Sequence, residues 1–367
     1  MQTPFISGTP IVFGWGSIDE LADHLPGGKC FLALGRSSAD DLGLVEKIRE
    51  ITSGNLEIFR GIEPNPLDST VEKGAVSLAR SEADFILAVG GGSVIDAAKV
   101  MGVIASQGGR SIDYLTGGKV PSGLGYPFIA VPTTPGTSSE ITPFAVVSVP
   151  SLGNKIGLRH PSMYPSLALI DPDLTVTLPK DQTASTGFDI LAHAFESYWA
   201  RSATPVTKSF TLRAVELLSD HLRGAFQDGN IREHREAISL ASVMAGLSFS
   251  NTGTTICHAI SYPITMDSGL PHGMACALSL PETFRILAER EVAGMEELAR
   301  AFGSTPSDLP DDLRQLMLDL GAPTRLSEAG FRGGLKRIVG TDLSVLQRNL
   351  PAALDDEDIS RIVRSME

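Results

Sequence analysis

Two side chains that can bind a metal ion lie one helical turn apart near the middle of the chain. Asp189 and His193 are four residues apart, and the residues around them are apolar. Residues with this spacing share one face of a helix. A carboxylate or an imidazole that is buried without a partner is costly, so the pair requires further polar groups. Taken alone, the pair is more typical of a surface ion pair or of a hydrogen-bonded core histidine.

Two further histidines can supply those groups. His258 and His272 both lie among small and apolar residues, where a solvated histidine would be out of place. One carboxylate oxygen and three imidazole nitrogens form a donor set that suits Fe²⁺ or Zn²⁺. We therefore predict that Asp189, His193, His258 and His272 converge on one metal site. The other four histidines lie in polar surroundings and are predicted at the surface, namely His24, His160, His221 and His234.

Two loops in the first half of the chain have the composition of phosphate-binding loops. Gly90-Gly-Gly-Ser93 follows an apolar run and precedes a helical pattern that begins near Val94. Glycines let backbone N–H groups approach a pyrophosphate, and a helix N-terminus adds positive potential. The order differs from the G-x-G-x-x-G fingerprint, and an ordinary tight turn explains this loop equally well. The hydroxyl-rich loop 132–140 is by itself more typical of a solvated turn, but two such loops after neighbouring strands favour a shared nucleotide.

Short apolar runs in the first half predict the strands that carry these loops. Such runs are typical of strands that are buried on both faces of a parallel sheet. The runs are 30–34, 55–59, 84–89, 128–131 and 167–170. Between several of them the apolar residues recur with helical spacing, as at Val94, Ala97, Ala98, Met101 and Ile104. This alternation predicts a doubly wound α/β domain.

The second half of the chain has a different pattern. Strand-like runs become rare after about residue 182, and amphipathic helices are predicted at 205–227, 231–250, 273–289, 310–320 and 357–366. Pro179 resists helix continuation, and Asp181 is predicted to cap the helix that follows. We therefore predict an α/β dinucleotide-binding domain over 1–180 and an all-helical metal-binding domain over 181–367.

Composition excludes several classes of protein. The chain has 367 residues, 42% of them hydrophobic, which is enough for sizeable cores. The net charge of -13 disfavours a nucleic-acid partner. The three cysteines, Cys30, Cys257 and Cys276, do not make a disulfide framework. Neither a signal peptide nor a membrane-spanning run is evident, so we expect a reduced, cytoplasmic protein without a membrane partner.

Taken together, the motifs resemble those of the iron-containing (group III) alcohol dehydrogenase family, and the resemblance covers nearly the whole chain. The matching segments are 90–99, 132–140, Asp171-Pro172, Asp189-x-x-x-His193, His258 and Pro271-His-Gly273. The resemblance implies an N-terminal dinucleotide-binding domain like that of dehydroquinate synthases and a C-terminal helical domain, with cofactor and metal in the cleft between them. It implies a metal-dependent oxidoreductase that transfers a hydride between NAD(P)H and a small aldehyde or primary alcohol.

The resemblance also assigns residues. Asp189, His193, His258 and His272 match the family's ligands for Fe²⁺, a position that Zn²⁺ can take. The positions that match the family's cofactor contacts are Asn65, Gly91, Gly92, Ser93, Thr133, Thr134 and Lys155. In such a site the metal acts as a Lewis acid toward the carbonyl oxygen. One departure concerns Tyr262, which stands where many members carry a second histidine; it either replaces that histidine as a proton donor or packs in the pocket.

Cofactor choice is suggested by the residues that follow the first strand of the sheet. NAD-preferring members commonly have an Asp here, whereas this chain has Gly35 followed by Arg36 and two serines. A missing anion beside a guanidinium favours a 2′-phosphate, so we predict a preference for NADP(H). In the alternative, Arg36 points into solvent and Gly35 only makes the turn.

The substrate is suggested by segments 195–205 and 258–265, which resemble those of phosphonoacetaldehyde reductases within the family. Those enzymes reduce an anionic two-carbon aldehyde to 2-hydroxyethylphosphonate, and a buried dianion requires compensating donors. The candidate donors are Arg159, Arg201, Lys208 and Arg285, with Thr254, Thr255 and Tyr262 as neutral groups, and the sequence does not show which of them face the cleft. The alternatives are a reductase for neutral short aldehydes, a dehydroquinate-synthase-like lyase, a metal-free reductase and a non-catalytic nucleotide-binding protein. A homodimer is left open.

Overall fold

The computed structural model describes residues 4–339 and 349–367 and divides the chain into two compact units. An α/β unit comprises Ser7–Val176, and a helical unit comprises the described residues from Thr177 onward together with the N-terminal segment that ends at Ile6. That segment belongs to the helical unit because Ile6 bonds to the side chain of Asn251 through both its backbone N–H and its carbonyl. In addition, the rings of Phe5 and Phe210 stack with their centroids 5.5 Å apart.

The α/β unit is built on a six-stranded parallel sheet. Its strands are β1 (Ile11–Phe13), β2 (Cys30–Leu34), β3 (Leu56–Phe59), β4 (Phe85–Gly90), β5 (Phe128–Pro132) and β8 (Leu167–Ile170). Their order across the sheet is β1-β8-β5-β4-β2-β3. All five predicted strands are present in the sheet.

Alternate side chains of the central strands enter two different cores, which explains why these strands are apolar throughout. Phe31 and Ala33 of β2 pack with the core on one face of the sheet. Cys30, Leu32 and Leu34 pack with the core on the other face. Helices cover both faces, namely α1 (Leu21–His24), α2 (Ser38–Asp41), α3 (Leu44–Ile51), α4 (Asp68–Ser81), α5 (Gly92–Gln107) and α6 (Ser111–Leu115). The predicted doubly wound architecture is confirmed.

An antiparallel hairpin follows the hydroxyl-rich loop and was not predicted. It consists of β6 (Phe144–Val149) and β7 (Asn154–Arg159), which pair along their whole length. β1 was also missed. β1 has only three residues, too few for a clear apolar run. β6 begins with four consecutive apolar residues, 144–147, so a signal for the first strand of the hairpin was available.

A buried lysine joins α5 to the hydroxyl-rich loop and to the hairpin. Lys99 is fully buried, and its Nζ donates hydrogen bonds to the carbonyls of Ser139, Thr142 and Phe144 at 2.6–2.8 Å. Asp96, one turn earlier, accepts a hydrogen bond from the N–H of Val146 at 2.8 Å. Burial lowers the pKa of Lys99 to about 8. These bonds fix the loop and the hairpin to the helix that begins at the glycine loop.

The helical unit contains nine α-helices among its described residues. They are α7 (Lys180–Trp199), α8 (Pro205–Gln227), α9 (Arg232–Thr252), α10 (Ile256–Ser268), α11 (His272–Glu289), α12 (Met295–Ala301), α13 (Leu309–Asp319), α14 (Gly334–Val339) and α15 (Asp356–Arg364). α7 is central, because it packs against α8, α9 and α11. No helix that the structure describes is both long and apolar enough to cross a membrane.

Two local details of the helical unit differ from the sequence predictions. Asp181 does not cap α7, because the helix already begins at Lys180 with Pro179 in the N-cap position. Asp181 lies instead in the first turn, where its charge complements the helix dipole. α10 was not among the predicted helices. It contains Pro263, which lacks the backbone N–H that an interior helical position normally uses.

The buried lysine generates a prediction about stability. Lys99→Met removes three hydrogen bonds to buried carbonyls and leaves Asp96 without its nearby cation. Breaking a buried charged network of this kind costs about 3–5 kcal/mol. Denaturant unfolding of the variant should therefore show a loss of that size. Lys73→Met, at an exposed position of α4, is the control and should change stability by about 0.5 kcal/mol or less. An equal effect of the two variants would contradict the role of Lys99.

Candidate functional site

Three histidines surround one oxygen of Asp189. Oδ1 of Asp189 lies 3.9 Å from Nδ1 of His193, 3.7 Å from Nε2 of His258 and 3.9 Å from Nε2 of His272. Asp189 and His193 belong to α7, whereas His258 lies in α10 and His272 in α11. The structure thus brings all four predicted ligands to one point of the helical unit. His272 is half-buried, and the other three side chains are buried.

The donor atoms at this point lack hydrogen-bond partners. Oδ1 of Asp189, Nδ1 of His193 and Nε2 of His258 are buried, and none of them has a hydrogen-bond partner within the described residues. A buried polar atom without a partner costs about 1–3 kcal/mol. A divalent cation would use the lone pairs of all three atoms at once. The donor set therefore fits a metal ion of the Fe²⁺ or Zn²⁺ class.

The electrostatics of the cluster also suit a cation. Burial opposes ionisation of Asp189, but His193, His258 and His272 outweigh it and hold the pKa of that carboxyl well below its usual range. Burial lowers the pKa of His193 to about 4. The carboxylate is therefore charged and His193 is neutral near pH 7, and these are the forms that bind metals. Burial opposes protonation of His258, but Cys276, Glu196 and Asp189 outweigh it and raise the pKa of that imidazole well above its usual range, so a metal would have to displace its proton.

A glycine allows α11 to approach α7 at backbone distance. A Cβ added to Gly273 would lie 1.9 Å from the carbonyl oxygen of Ser185 and 2.7 Å from the backbone nitrogen of Asp189. Any larger residue would push the two helices apart. His272 immediately precedes this contact at the first position of α11, so the contact sets the distance between His272 and Asp189.

Glu196 holds His258 in place and was missed by the sequence analysis. It is fully buried, and one carboxylate oxygen pairs with Nδ1 of His258. The other oxygen accepts hydrogen bonds from Oγ1 of Thr255 at 2.6 Å and from the N–H of Cys257 at 2.7 Å. A carboxylate on the far nitrogen fixes the tautomer and the orientation of a metal-binding imidazole. A signal was available, because Glu196 is three residues after His193 and lies on the same helical face.

Aromatic rings cover the histidines on two sides. The ring of Phe249 stacks on that of His193, with centroids 4.0 Å apart and an interplanar angle of 6°. The ring of Tyr262 stacks on that of His272, with centroids 5.9 Å apart and an angle of 16°. Burial raises the pKa of Tyr262, so its phenol stays protonated near neutral pH. The stacking shows that Tyr262 at least packs against a predicted ligand.

Cys276 is a further residue of the cluster that the sequence analysis did not assign to the site. It lies one turn after His272 on α11 and is fully buried. Its Sγ lies 3.9 Å from Nε2 of His272. The same helical spacing that paired Asp189 with His193 could have found it.

The remaining histidines are half-buried, so their predicted surface position is only partly correct. His221 and His234 contact each other through their Nδ1 atoms at 3.0 Å, and Nδ1 of His160 contacts Oγ of Ser162 at 2.5 Å. Polar neighbours in the sequence did not reveal these side-chain contacts, because the partners of His221 and His234 belong to different helices.

In the α/β unit, the predicted phosphate-binding loops lie together at the carboxyl edge of the sheet. β4 and β5 are neighbouring parallel strands, and the glycine loop and the hydroxyl-rich loop follow them. A Cβ on Gly91 would lie 3.0 Å from Oγ1 of Thr134, and one on Gly92 would lie 2.2 Å from Oγ1 of Thr137. The N–H of Thr133 donates to the carbonyl of Gly90 at 3.0 Å. The absence of side chains at the glycines therefore permits the two loops to contact each other.

Asn65 connects two other predicted cofactor residues to each other. Its backbone N–H donates to Oγ of Ser93 at 3.1 Å, and its side-chain oxygen accepts from Nζ of Lys155 at 2.8 Å. Oγ of Ser148 donates to its carbonyl at 3.1 Å. Asn65 has a left-handed backbone conformation with φ of 56°, a region that Asn tolerates better than most residues. The loop that contains Asn65, the helix N-terminus at Ser93 and the hairpin thus form one hydrogen-bonded group.

Gly35 lies beside the glycine loop, and Arg36 extends outward. A Cβ on Gly35 would be 3.4 Å from Cγ2 of Val94, in the first turn of α5. Arg36, Ser37 and Ser38 are exposed. The geometry places these groups at the end of β2, next to β4 in the sheet.

Most of the predicted substrate-binding cations lie away from the metal cluster or are engaged elsewhere. α7 rises ~1.5 Å per residue, so its end at Trp199 is ~15 Å from Asp189, and Arg201 follows that end. Nζ of Lys208 lies 4.4 Å from the ring centroid of Tyr198, which is also near that end. The guanidinium of Arg285 contacts Glu282 and Asp311. The hydroxyl of Thr255 donates its hydrogen bond to the carboxylate of Glu196. Arg201, Lys208 and Arg285 are therefore weaker candidates for an anion-binding group beside the metal cluster.

Comparison with known families matches both halves of the chain. The family description "Iron-containing alcohol dehydrogenase" matches residues 8–172, and "Fe-containing alcohol dehydrogenase family, C-terminal" matches residues 183–366. This chain belongs to the iron-containing alcohol dehydrogenase family. The family recognised from the motifs is confirmed.

Individual relatives agree with this assignment. An NADPH-dependent butanol dehydrogenase of Clostridium saccharobutylicum is 32% identical and covers 88% of this chain and 85% of its own length. A sulfoacetaldehyde reductase of Bilophila wadsworthia is 31% identical, covering 88% of this chain and 87% of its own. The crystal structure of sulfoacetaldehyde reductase from Bifidobacterium kashiwanohense in complex with NAD⁺ is 29% identical, with a TM-score of 0.93 over 100% of this chain and 99% of its own.

These comparisons identify the general activity. As an iron-containing alcohol dehydrogenase, the chain is an NAD(P)-dependent oxidoreductase of alcohols and aldehydes. A metal and a nicotinamide cofactor are the groups that the family implies. The lyase and non-catalytic alternatives are set aside, because the matched family is that of the alcohol dehydrogenases.

The contact between Glu196 and His258 generates a prediction about metal affinity. Glu196→Gln keeps the size of the side chain but removes the charge that orients and polarises the imidazole. Loss of such a partner typically lowers metal affinity by about 10–100-fold. Competition with a chelator on the Zn²⁺-loaded protein would measure the change. Glu233→Gln, on the exposed first turn of α9, is the control and should leave the affinity unchanged. Unaltered affinity in Glu196→Gln would show that the carboxylate does not support the ligand.

Proposed function

We propose that this enzyme reduces a two-carbon aldehyde that carries a tetrahedral anionic group, phosphonoacetaldehyde, to 2-hydroxyethylphosphonate with NADPH. The observation that carries the proposal is the buried cluster of one carboxylate and three imidazoles around Oδ1 of Asp189. The anionic substrate class is supported by the names of two relatives, both sulfoacetaldehyde reductases. Sulfoacetaldehyde has the same two-carbon aldehyde skeleton with a sulfonate in place of the phosphonate.

The metal would be held by Asp189, His193, His258 and His272, as Fe²⁺ or Zn²⁺. When bound, the cation supplies Lewis-acid stabilisation of the negative charge that develops on the substrate oxygen. Asp189 offsets part of the cation's charge, and Glu196 keeps Nε2 of His258 directed toward it. Asp189, His193 and His258 are buried, which limits their contact with bulk water and would strengthen these electrostatic interactions.

The dinucleotide would be bound by the loops at the carboxyl edge of the sheet. Backbone N–H groups of Gly91, Gly92 and Ser93, at the N-terminus of α5, are suited to the pyrophosphate. The hydroxyls of Thr133 and Thr134 and the Asn65–Lys155 pair are the further polar groups of this edge. We assign Tyr262 a packing role against His272 rather than a proton-relay role, on the strength of the ring stacking.

Recognition of the phosphonate would rest on fewer groups than the sequence predicts. Among the four candidate cations, Arg159 belongs to the α/β unit, where its guanidinium lies 5.0 Å from the ring centroid of Phe144 in the hairpin. Thr254 and Tyr262, both half-buried, remain as neutral donors. The involvement of Arg285 with Glu282 and Asp311 favours a second candidate function, the reduction of neutral short-chain aldehydes.

A comparison of substrates separates the two candidate functions. With the purified enzyme loaded with Fe²⁺ or with Zn²⁺, we expect kcat/KM for phosphonoacetaldehyde to exceed that for propionaldehyde. His272→Ala should abolish turnover of both substrates while far-UV circular dichroism stays that of the wild type, because the residue is a predicted ligand at the start of a helix. Equal or better efficiency on propionaldehyde would leave the broad short-chain reductase. Full activity of His272→Ala would refute the metal assignment itself.

Cofactor preference can be tested at the end of β2. We expect Arg36→Ala to lower kcat/KM for NADPH by about 10–100-fold with little effect on NADH, since a hydrogen bond to a charged group contributes about 1.5–3 kcal/mol. Gly35→Asp should shift the preference toward NADH, because the new carboxylate repels a 2′-phosphate. Its Cβ would meet Val94 at 3.4 Å, a contact that a small shift can absorb.

Arg49→Ala, at an exposed position of α3, is the control for a general loss of positive charge and should change neither cofactor's kcat/KM. A wild-type enzyme that strongly prefers NADH would overturn the NADPH assignment. The relatives differ in their cofactors, because the butanol dehydrogenase is NADPH-dependent and the sulfoacetaldehyde reductase was crystallised with NAD⁺.

A further inference from the structure

A thiol forms a second group of four donors with three of the predicted metal ligands. The donor atoms of Asp189, His258, His272 and Cys276 all lie within 4.8 Å of one another. Cys276 and His272 are on the same face of α11, one turn apart, and Sγ lies 3.9 Å from Nε2 of His272. Sulfur, nitrogen and oxygen atoms at such separations surround a volume of the size that one metal ion fills.

The surroundings of Cys276 differ from those of a cysteine that only packs in a core. Cys30 contrasts with it, because it belongs to an apolar strand core and burial raises the pKa of its thiol to about 12. Around Cys276, the residues Asp189 and His258 are 4% and 3% exposed, and their buried atoms Oδ1 and Nε2 lack hydrogen-bond partners among the described residues. Two polar atoms without partners therefore face the same point as the sulfur.

We infer that Cys276 is a direct ligand of the metal in this enzyme, adding a thiolate to the carboxylate and imidazole donors. This inference rests on the metal site of the proposed function and specifies its ligand chemistry. On binding, the S–H bond breaks, the proton leaves to solvent and a metal–sulfur bond forms, without any change in oxidation state. The thiol need not move far, because it is already fully buried within the donor group.

A thiolate ligand changes which metal the site retains. Soft sulfur donors favour Zn²⁺, whereas a set of only oxygen and imidazole donors discriminates less between Zn²⁺ and Fe²⁺. The ratio of the affinity for Zn²⁺ to the affinity for Fe²⁺ should therefore be larger in the wild type than in the Cys276→Ser variant. Selection among metals would thus depend on a residue outside the set of four ligands that the family resemblance assigns.

Cobalt spectroscopy on the full-length protein tests the ligand directly. In the Co²⁺-loaded enzyme we expect a thiolate-to-cobalt charge-transfer band in the near ultraviolet, which Cys276→Ser and Cys276→Ala both lose. Cys257→Ser is the matched control, because Cys257 is an equally buried thiol of the same unit that is outside the four-donor group; it should keep the band. Thermal unfolding of each variant identifies any that fails to fold, and Cys276→Ser and Cys276→Ala serve as alternatives to each other.

Zinc binding gives a second readout that does not depend on activity. X-ray absorption of the Zn²⁺-loaded enzyme should show one sulfur neighbour at about 2.3 Å. Cys276→Ser should lower Zn²⁺ affinity by more than about 100-fold, which exceeds the 10–100-fold effect of an outer partner. A folded wild type without the charge-transfer band and without a sulfur neighbour would overturn the inference.

The outcomes separate this inference from the proposed function. An enzyme that reduces aldehydes but has no metal–sulfur signal retains the proposed function and refutes the thiolate. If the metal–sulfur signal is present but the enzyme does not reduce phosphonoacetaldehyde, the thiolate ligand is supported and the proposed substrate is refuted.

Discussion

The helical unit depends on the burial of one carboxylate oxygen among imidazoles. Oδ1 of Asp189 has no hydrogen-bond partner within the described residues, and neither do the nearby nitrogens of His193 and His258. Apolar packing alone would not gather these groups, because burying them without partners is unfavourable. A cation at this point would relieve the cost for all of them together, and its binding energy would then stabilise the packing of α7, α10 and α11.

The helices are held in this arrangement by residues that are not themselves predicted metal ligands. The absence of a side chain at Gly273 lets α11 approach α7 at backbone distance. Glu196 fixes His258 from the far side of its ring, and Phe249 covers His193. The packing of neighbouring helices thus sets the positions of the predicted ligands.

In the α/β unit, buried hydrogen bonds hold two polar loops at one edge of the sheet. Lys99 binds three carbonyls of the hydroxyl-rich loop and the hairpin, and it does so from the helix that starts at the glycine loop. Asn65 links the start of the same helix to the hairpin through Ser93 and Lys155. Both loops are therefore fixed to α5 without a bound ligand. Such preorganisation reduces the conformational entropy that is lost on binding.

The sequence by itself predicted five of the six strands of the central sheet, most of the long helices and four candidate metal ligands, whose side chains the structure brings together. These follow from periodicity, from the spacing of Asp189 and His193, and from motifs that lie close together in the chain. Only the tertiary structure decided which other groups surround them. Glu196 meets His258, and Cys276 joins the donor group, through packing between separate helices. Helix packing also decided what the candidate substrate cations contact, because Lys208 meets Tyr198 and Arg285 meets Asp311 from separate helices, which no local pattern records.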